Sequence, residues 1–196
     1  IDDSSARELD ENEMSIALVG RPNVGKSTFI NSFIKEDRLL TQNRPGTTRD
    51  SIFIDFKYKD TPLVLIDTAG IRKKKKVDET IEKFSVVKAL QAIDLADSVV
   101  VIIDASEGIT DQDLSLIGLV INSGRAFCIA LNKYDLLDEE QKEQLERQIK
   151  RRLKFASFIE TVEISALKSM QLKKAINTAI ESAKSSMQDV ATSKIS

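Results

Sequence analysis

The chain has 196 residues, with 29 lysines and arginines against 31 aspartates and glutamates. That length suffices for one substantial core, and the near-neutral balance confines any contact with nucleic acid or membrane to a local patch. The absence of histidine excludes histidine bases, Ser-His triads and histidine metal ligands. The single cysteine, Cys128, cannot close an internal disulfide; in the apolar run Ala126 to Leu131 it reads as a buried, reduced thiol. No apolar stretch approaches the length of a membrane span, and the first residues are acidic where a signal peptide is basic and apolar. A cytoplasmic protein with no membrane partner is expected.

Residues 1–13 are acidic and polar without apolar period and read as a linker. Ile16 to Val19 reads as a buried strand. Lys26 to Ile34 opens a helix, with Phe29, Ile30, Phe33 and Ile34 at helical period. Ser51 to Tyr58 alternates like a half-exposed strand, and Leu63 to Ile66 is a second buried one. The turn Lys59-Asp60-Thr61-Pro62 between them predicts an antiparallel pair. Ile81 to Ile93 is helical, Ser98 to Ile103 a strand, Asp111 to Ile121 a helix and Ala126 to Leu131 a strand. Asp138 to Leu153 is a charged amphipathic helix, Ile159 to Ile164 a last strand and Leu172 to Ile180 a last helix. Ser185 to Ser196 reads as a polar tail. Alternation of this kind predicts a mostly parallel sheet of six strands with helices on both faces. Ligands then bind outside the carboxyl ends of the strands.

Between the first strand and first helix stands GRPNVGKST. Its glycines, Gly20 and Gly25, permit a turn whose N–H groups converge on a diphosphate. The helix that follows adds the positive end of its dipole. The candidate phosphate contacts are Asn23, Val24, Gly25, Lys26, Ser27 and Thr28. Lys26 reaches the outer phosphates, and the Ser27 hydroxyl is a Mg2+ ligand. Asn132-Lys133-Tyr134-Asp135 follows the strand that ends at Leu131 and stands on the same rim. A carboxylate at Asp135 can accept two hydrogen bonds from guanine, from the ring imino group and the exocyclic amine. Adenine would leave it unpaired, which discriminates by roughly four orders of magnitude. The Lys133 stem can cover the base. Ser165-Ala166-Leu167, after the last strand, can offer a backbone N–H to the six-oxo group.

Asp67-Thr68-Ala69-Gly70 ends the strand Leu63 to Ile66. Asp67 is placed to hold Mg2+ through water, and Gly70 lets a backbone N–H approach the terminal phosphate and release it after hydrolysis. In the polar connection Arg44 to Asp50, Thr48 is the candidate to complete the Mg2+ shell, with Thr47 as the alternative. The basic run Arg72-Lys73-Lys74-Lys75-Lys76 is either a solvated loop or a segment presented to RNA or an adjoining domain according to nucleotide state.

GRPNVGKST, PGTTRD, DTAGIRKK, EKFSVVKALQAI and NKYD together resemble the Der (EngA) family, bacterial double-Era GTPases of ribosome assembly. The likeness runs from about Met14 to Ile180. It implies a P-loop, Ras-like small G domain, and within the family the second of two successive GTPase domains. Residues 1–13 then correspond to the interdomain linker and residues 185–196 lead into a KH-like domain. It also implies GTP and GDP as ligands, Mg2+ as cofactor, and the large ribosomal subunit or its RNA as partner, with the first GTPase domain and the KH-like domain as partners in cis. Two positions depart from the pattern. Tyr134 stands where Trp is usual, and Lys168-Ser169-Met170 lacks a customary glycine.

Ras-like enzymes place a water-orienting glutamine directly after the DTAG glycine; here that residue is Ile71. The resemblance to Era-like GTPases implies a K+ ion held by Asn23 in place of an arginine finger, which would make hydrolysis potassium-stimulated. The alternative for Asn23 is an asparagine that merely accepts a tight turn. The catalytic candidates are thus Lys26, Asn23, Thr48 and Gly70. Two functions stay open: a GTP-hydrolysing switch in large-subunit assembly, and a nucleotide-binding regulatory or RNA-binding module with negligible hydrolysis.

Overall fold

A computed structural model describes residues 13–37, 52–59, 61–67 and 86–193, the last six of them as backbone only. Six strands form one sheet in the order β2-β3-β1-β4-β5-β6. They are β1 (Met14–Val19), β2 (Ile52–Tyr58), β3 (Thr61–Asp67), β4 (Ser98–Asp104), β5 (Ala126–Asn132) and β6 (Thr161–Glu163). The pairing is parallel throughout except between β2 and β3, the pair predicted to be antiparallel. Lys59 turns that hairpin with φ 48°.

The helices are α1 (Lys26–Asp37), α2 (Val86–Leu95), α3 (Asp111–Asn122), α4 (Glu139–Arg152) and α5 (Leu172–Ser193). Side chains alternate across a strand, so the sheet feeds two cores. On one face Ile16, Leu18, Val100, Ile102 and Ala130 pack against Phe29, Ile30 and Phe33 of α1 and Leu172, Ala175, Ile176 and Ala179 of α5. On the other, Ala17, Val19, Val99, Val101 and Ile129 meet α2, α3 and α4 through Ala92, Ile93, Leu116, Ile117 and Leu145. Cys128 is fully buried against α5, and burial, then the charge of Glu160, pushes its thiol pKa up to about 12.

Two elements differ from expectation. The last strand is only three residues long, because Ile159 closes a tight turn onto the Ala156 carbonyl instead of extending. The polar tail expected from Ser185 is helical as far as Ser193; once a helix is nucleated, each added residue costs little even when it is polar. The helix expected from Ile81 is described from Val86, and residues 68–85 lie outside the described part, as do 1–12 and 38–51.

Parallel pairing brings the carboxyl ends of β1, β3, β4, β5 and β6 to one rim. The chain leaves β1 between β3 and β4, where connections depart in both directions and a crevice opens.

Candidate functional site

The loop Gly20 to Gly25 fills that crevice, and each of its glycines answers a different constraint. A Cβ at Gly20 would lie 2.6 Å from the Ile102 carbonyl oxygen on β4, so the loop can lie on the sheet only without a side chain there. Gly25 has φ +104°, and a Cβ would come within 2.2 Å of the Asn132 amide nitrogen. Gly25 also precedes α1 without offering a capping side chain. Its carbonyl takes the first helical hydrogen bond, from the Phe29 N–H at 2.8 Å. The N–H groups of Ser27 and Thr28 have no partner one turn back in the helix. The N-terminus of α3 is capped by Thr110 and has two aspartates in its first turn; α4 is capped by Asp138 and has two glutamates. The first turn of α1 carries no acid. Its positive end is left for an anion.

Lys26 is buried, and its ammonium donates to the carbonyls of Gly20 at 2.9 Å and Arg21 at 2.7 Å. These bonds fold the cation back over the loop that it is to serve. Asn23 is exposed with φ 64°, the left-handed conformation that asparagine tolerates.

The second half of the site is tied to the first by two side chains. Asn132, at the end of β5, is buried; its amide donates to the Val24 carbonyl at 2.8 Å and accepts from the Ala166 N–H at 2.8 Å. One side chain therefore fixes the distance between the phosphate loop and the Ser165-Ala166-Leu167 turn. Lys133, with φ 62°, donates to the Asn23 carbonyl at 3.2 Å and to Asp104. Asp135 follows in a single 3-10 turn, Tyr134–Leu136, with only 9% of its side chain exposed and an ion pair to Lys168 at 3.0 Å. Hydrogen bonding from the Ser165 side chain, with help from Lys168, outweighs desolvation and holds its carboxyl below the ordinary range. It is an acceptor at neutral pH.

A family model described as 50S ribosome-binding GTPase matches residues 15–133. The chain belongs to this GTPase family. Curated relatives are named GTPase Der. That of Legionella pneumophila (strain Lens) is 50% identical over 189 residues, which is 95% of this chain and 40% of the relative. That of Tolumonas auensis is 47% identical over 182 residues, 93% of this chain and 36% of the relative. The chain thus spans about two fifths of the length of the curated relatives it matches. Among solved structures, Aquifex aeolicus Era bound to GDP·AlF4− aligns with a TM-score of 0.64 at 23% identity, covering 87% of this chain and 57% of that one. The G domain of the T. maritima iron transporter FeoB aligns at 0.57 and 21%, covering 87% and 99%. Both share its fold.

In this GTPase domain the sequence-predicted residues Asn23, Val24, Gly25, Lys26, Ser27, Thr28, Asp67, Asn132, Lys133, Asp135, Ser165, Ala166 and Leu167 all stand on the one rim. Asp67 is fully buried at the end of β3, in register with Leu18 of β1. Thr48, Thr47, Gly70, Ile71 and the run Arg72 to Lys76 lie outside the described residues. The Ala166 N–H is engaged by Asn132, which leaves the exposed Leu167 as the turn's N–H without a partner among the described residues. The missing glycine in that turn has a visible consequence. Ser169 and Gln171 adopt φ of 54° and 57°, and a bridge between Ser165 and Met170 closes the turn. A non-glycine residue is strained in that region.

Two residues of the site were not anticipated. Asp104, at the end of β4, is buried and pairs in register with Asn132. It receives Lys133 and both the N–H and hydroxyl of Ser106, at 3.0 and 2.6 Å. Burial pushes its carboxyl up, but these bonds outweigh that and hold it below the ordinary range. The signal was present: an acid closing a strand of Val and Ile has to have a buried partner. Arg21 joins the phosphate loop to α3 by donating to Asp113 at 2.9 Å and Glu107 at 2.8 Å. Burial lowers its affinity for the proton, but the two carboxylates overcome this and raise its pKa. Asp113 is itself the acid of the capping box that starts α3. No spacing in the sequence announces that pair.

Proposed function

We propose that this domain binds GTP and GDP on the β1-β3-β4-β5-β6 rim and hydrolyses GTP with water to GDP and phosphate. The observation that carries the reading is the Asn132 tie. A loop built for a diphosphate and a carboxylate suited to guanine are held in one frame by one buried amide. The family match supports the nucleotide class.

The donor set suits Mg2+. Ser27 and Asp67 offer a hydroxyl and a carboxylate, both hard oxygens, and no group of three or more acidic or cysteine side chains gathers to hold a metal among the described residues. Mg2+ prefers this economy, since it keeps water and takes substrate phosphates as further ligands. Ser27, Asp67 and Thr48 would hold the ion, which supplies charge neutralisation between the phosphates. Lys26 and the N–H groups of α1 stabilise charge on the outer phosphates. Gly70 meets the terminal phosphate. With Ile71 where a glutamine would orient water, Asn23 would hold a K+ ion, which would supply positive charge to stabilise the phosphates during hydrolysis. Its exposed side chain at the loop crest supports that role.

The whole protein acts as a nucleotide-dependent switch in large ribosomal subunit assembly, together with a first GTPase domain and a KH-like domain in cis. The relatives' greater length and the match to a family model described as 50S ribosome-binding GTPase support that setting. Ile71 also favours a second reading, a nucleotide-binding module with negligible hydrolysis. Single-turnover hydrolysis with saturating Mg-GTP, in KCl and in NaCl at equal ionic strength, separates the two. We expect turnover faster in KCl, and an Asn23→Ala protein that binds GDP but has lost the potassium response. Absence of turnover in either salt supports the module. Equal turnover in the two salts removes K+ from the mechanism.

A further inference from the structure

We propose that the turn after α4, residues 151–158, is a stacking platform for single-stranded RNA. Of the described phenylalanines, Phe29, Phe33, Phe56 and Phe127 are buried and Phe53 partly so, whereas Phe155 is 54% and Phe158 74% exposed. The exposure is built into the backbone. Two successive tight turns, the Ala156 N–H donating to the Leu153 carbonyl at 2.8 Å and the Ile159 N–H to the Ala156 carbonyl at 3.0 Å, give the segment a period of three. At that period side chains three apart share a face. Leu153, Ala156 and Ile159 form the inward row and pack into the core beneath α4. Phe155 and Phe158 form one outward row, and Arg151 and Lys154 begin the other, both exposed. The inward row anchors the turn, so the two rings are presented on a rigid ridge.

Charge selects the partner. Residues 151–160 carry Arg151, Arg152 and Lys154 against one acid, Glu160. Arg152 is engaged with Asp111 and the Ile109 carbonyl. One turn earlier on α4, Glu143 and Glu146 are paired with Arg147 and Lys150 at 3.6 and 2.7 Å. Among the described residues Arg151 and Lys154 have no such partner, and they flank the rings. Rings that can stack on bases, beside cations that can meet the backbone, are what an unpaired strand needs. A duplex hides its base faces and would use only the cations. The turn precedes β6 and so stands at the rim opposite the nucleotide site, where a bound strand leaves that site open.

The test uses the 196-residue protein, a short fluorescent oligouridylate and a hairpin duplex of equal length, with anisotropy read at about 50 mM salt. We expect the single strand to bind with a dissociation constant of roughly 1–100 μM that weakens as salt rises. Phe155→Ala/Phe158→Ala should weaken it at least about tenfold and leave the duplex affinity unchanged. Arg151→Glu/Lys154→Glu should weaken both. GDP affinity, read in parallel, should be the same in all three proteins, since none of the four residues touches the nucleotide rim. Single-strand binding that survives loss of both rings would overturn the proposal, as would no binding by the parent protein. If loss of the rings changes only the sedimentation coefficient, the ridge is a contact between copies of the chain and the RNA reading is wrong.

Discussion

Replacing Asn132 by alanine removes the amide that joins the two halves of the rim. In the folded protein the change would strand two buried groups, the Val24 carbonyl and the Ala166 N–H, each now bonded at 2.8 Å. An orphaned buried polar group costs about 1–3 kcal/mol, so the pair costs about 2–6 kcal/mol, against a total stability of about 5–15 kcal/mol for a domain. Equilibrium urea unfolding followed by circular dichroism should show the midpoint fall with an unchanged slope. GDP affinity should drop at least about tenfold beyond what stability alone explains, because loop and turn lose their common frame. Asn132→Asp is the sharper variant. It keeps an acceptor for Ala166 but sets an oxygen against the Val24 carbonyl, so it should lose only the loop half of the tie. An Asn132→Ala protein with wild-type midpoint and wild-type GDP affinity would refute the reasoning.

Other perturbations separate the remaining terms. Gly25→Ala should abolish GDP binding and lower the urea midpoint, since it meets both a φ of +104° and the Asn132 amide; an alanine protein that binds GDP normally would contradict that geometry. Ser169→Gly should raise stability by about 0.5–1 kcal/mol in urea unfolding by relieving a left-handed serine. The Asp104 carboxyl is held below its unfolded value, so its contribution is full above the ordinary carboxylate pKa near 4 and is lost as pH falls through the folded value. Asp104→Asn should therefore be less stable at neutral pH and show a shallower acid limb when unfolding is measured across pH. Cys128, with a thiol pushed up to about 12, should react with a thiol reagent near pH 8 only at the rate of unfolding, and fast labelling of the native protein would show it is not buried.

How much was readable in advance follows from where the controlling interactions lie. Apolar period marked all six strands and the five helices, because burial on two faces writes an alternation into the residues themselves. The antiparallel pair was legible from one turn. Motif spacing located the rim residues, since a phosphate loop needs its glycines, lysine and hydroxyl close together in sequence. Asp104, Arg21 and Asp113 were not legible in that way. Their partners, Lys133 and the phosphate loop, are 29 and 92 residues away, and only the fold brings them together. Gly20 illustrates a finer limit. Its need is clearance from a neighbouring strand rather than an unusual backbone angle, and nothing local distinguishes the two. The end of α5 was set too early because polarity was read as a stop, although the helix needs no further apolar face to continue.

The most direct measurement is displacement of a fluorescent guanosine diphosphate by unlabelled GDP and by ADP, with the parent domain and with Asp135→Ala. Loop amides that hold a diphosphate bind both nucleotides alike, so any preference comes from the far end of the rim. GDP should displace the probe at concentrations several orders of magnitude below ADP, and the alanine substitution should erase most of that gap. Equal displacement by the two nucleotides, or a preference that outlives the carboxylate, would contradict the assignment of this rim to guanine.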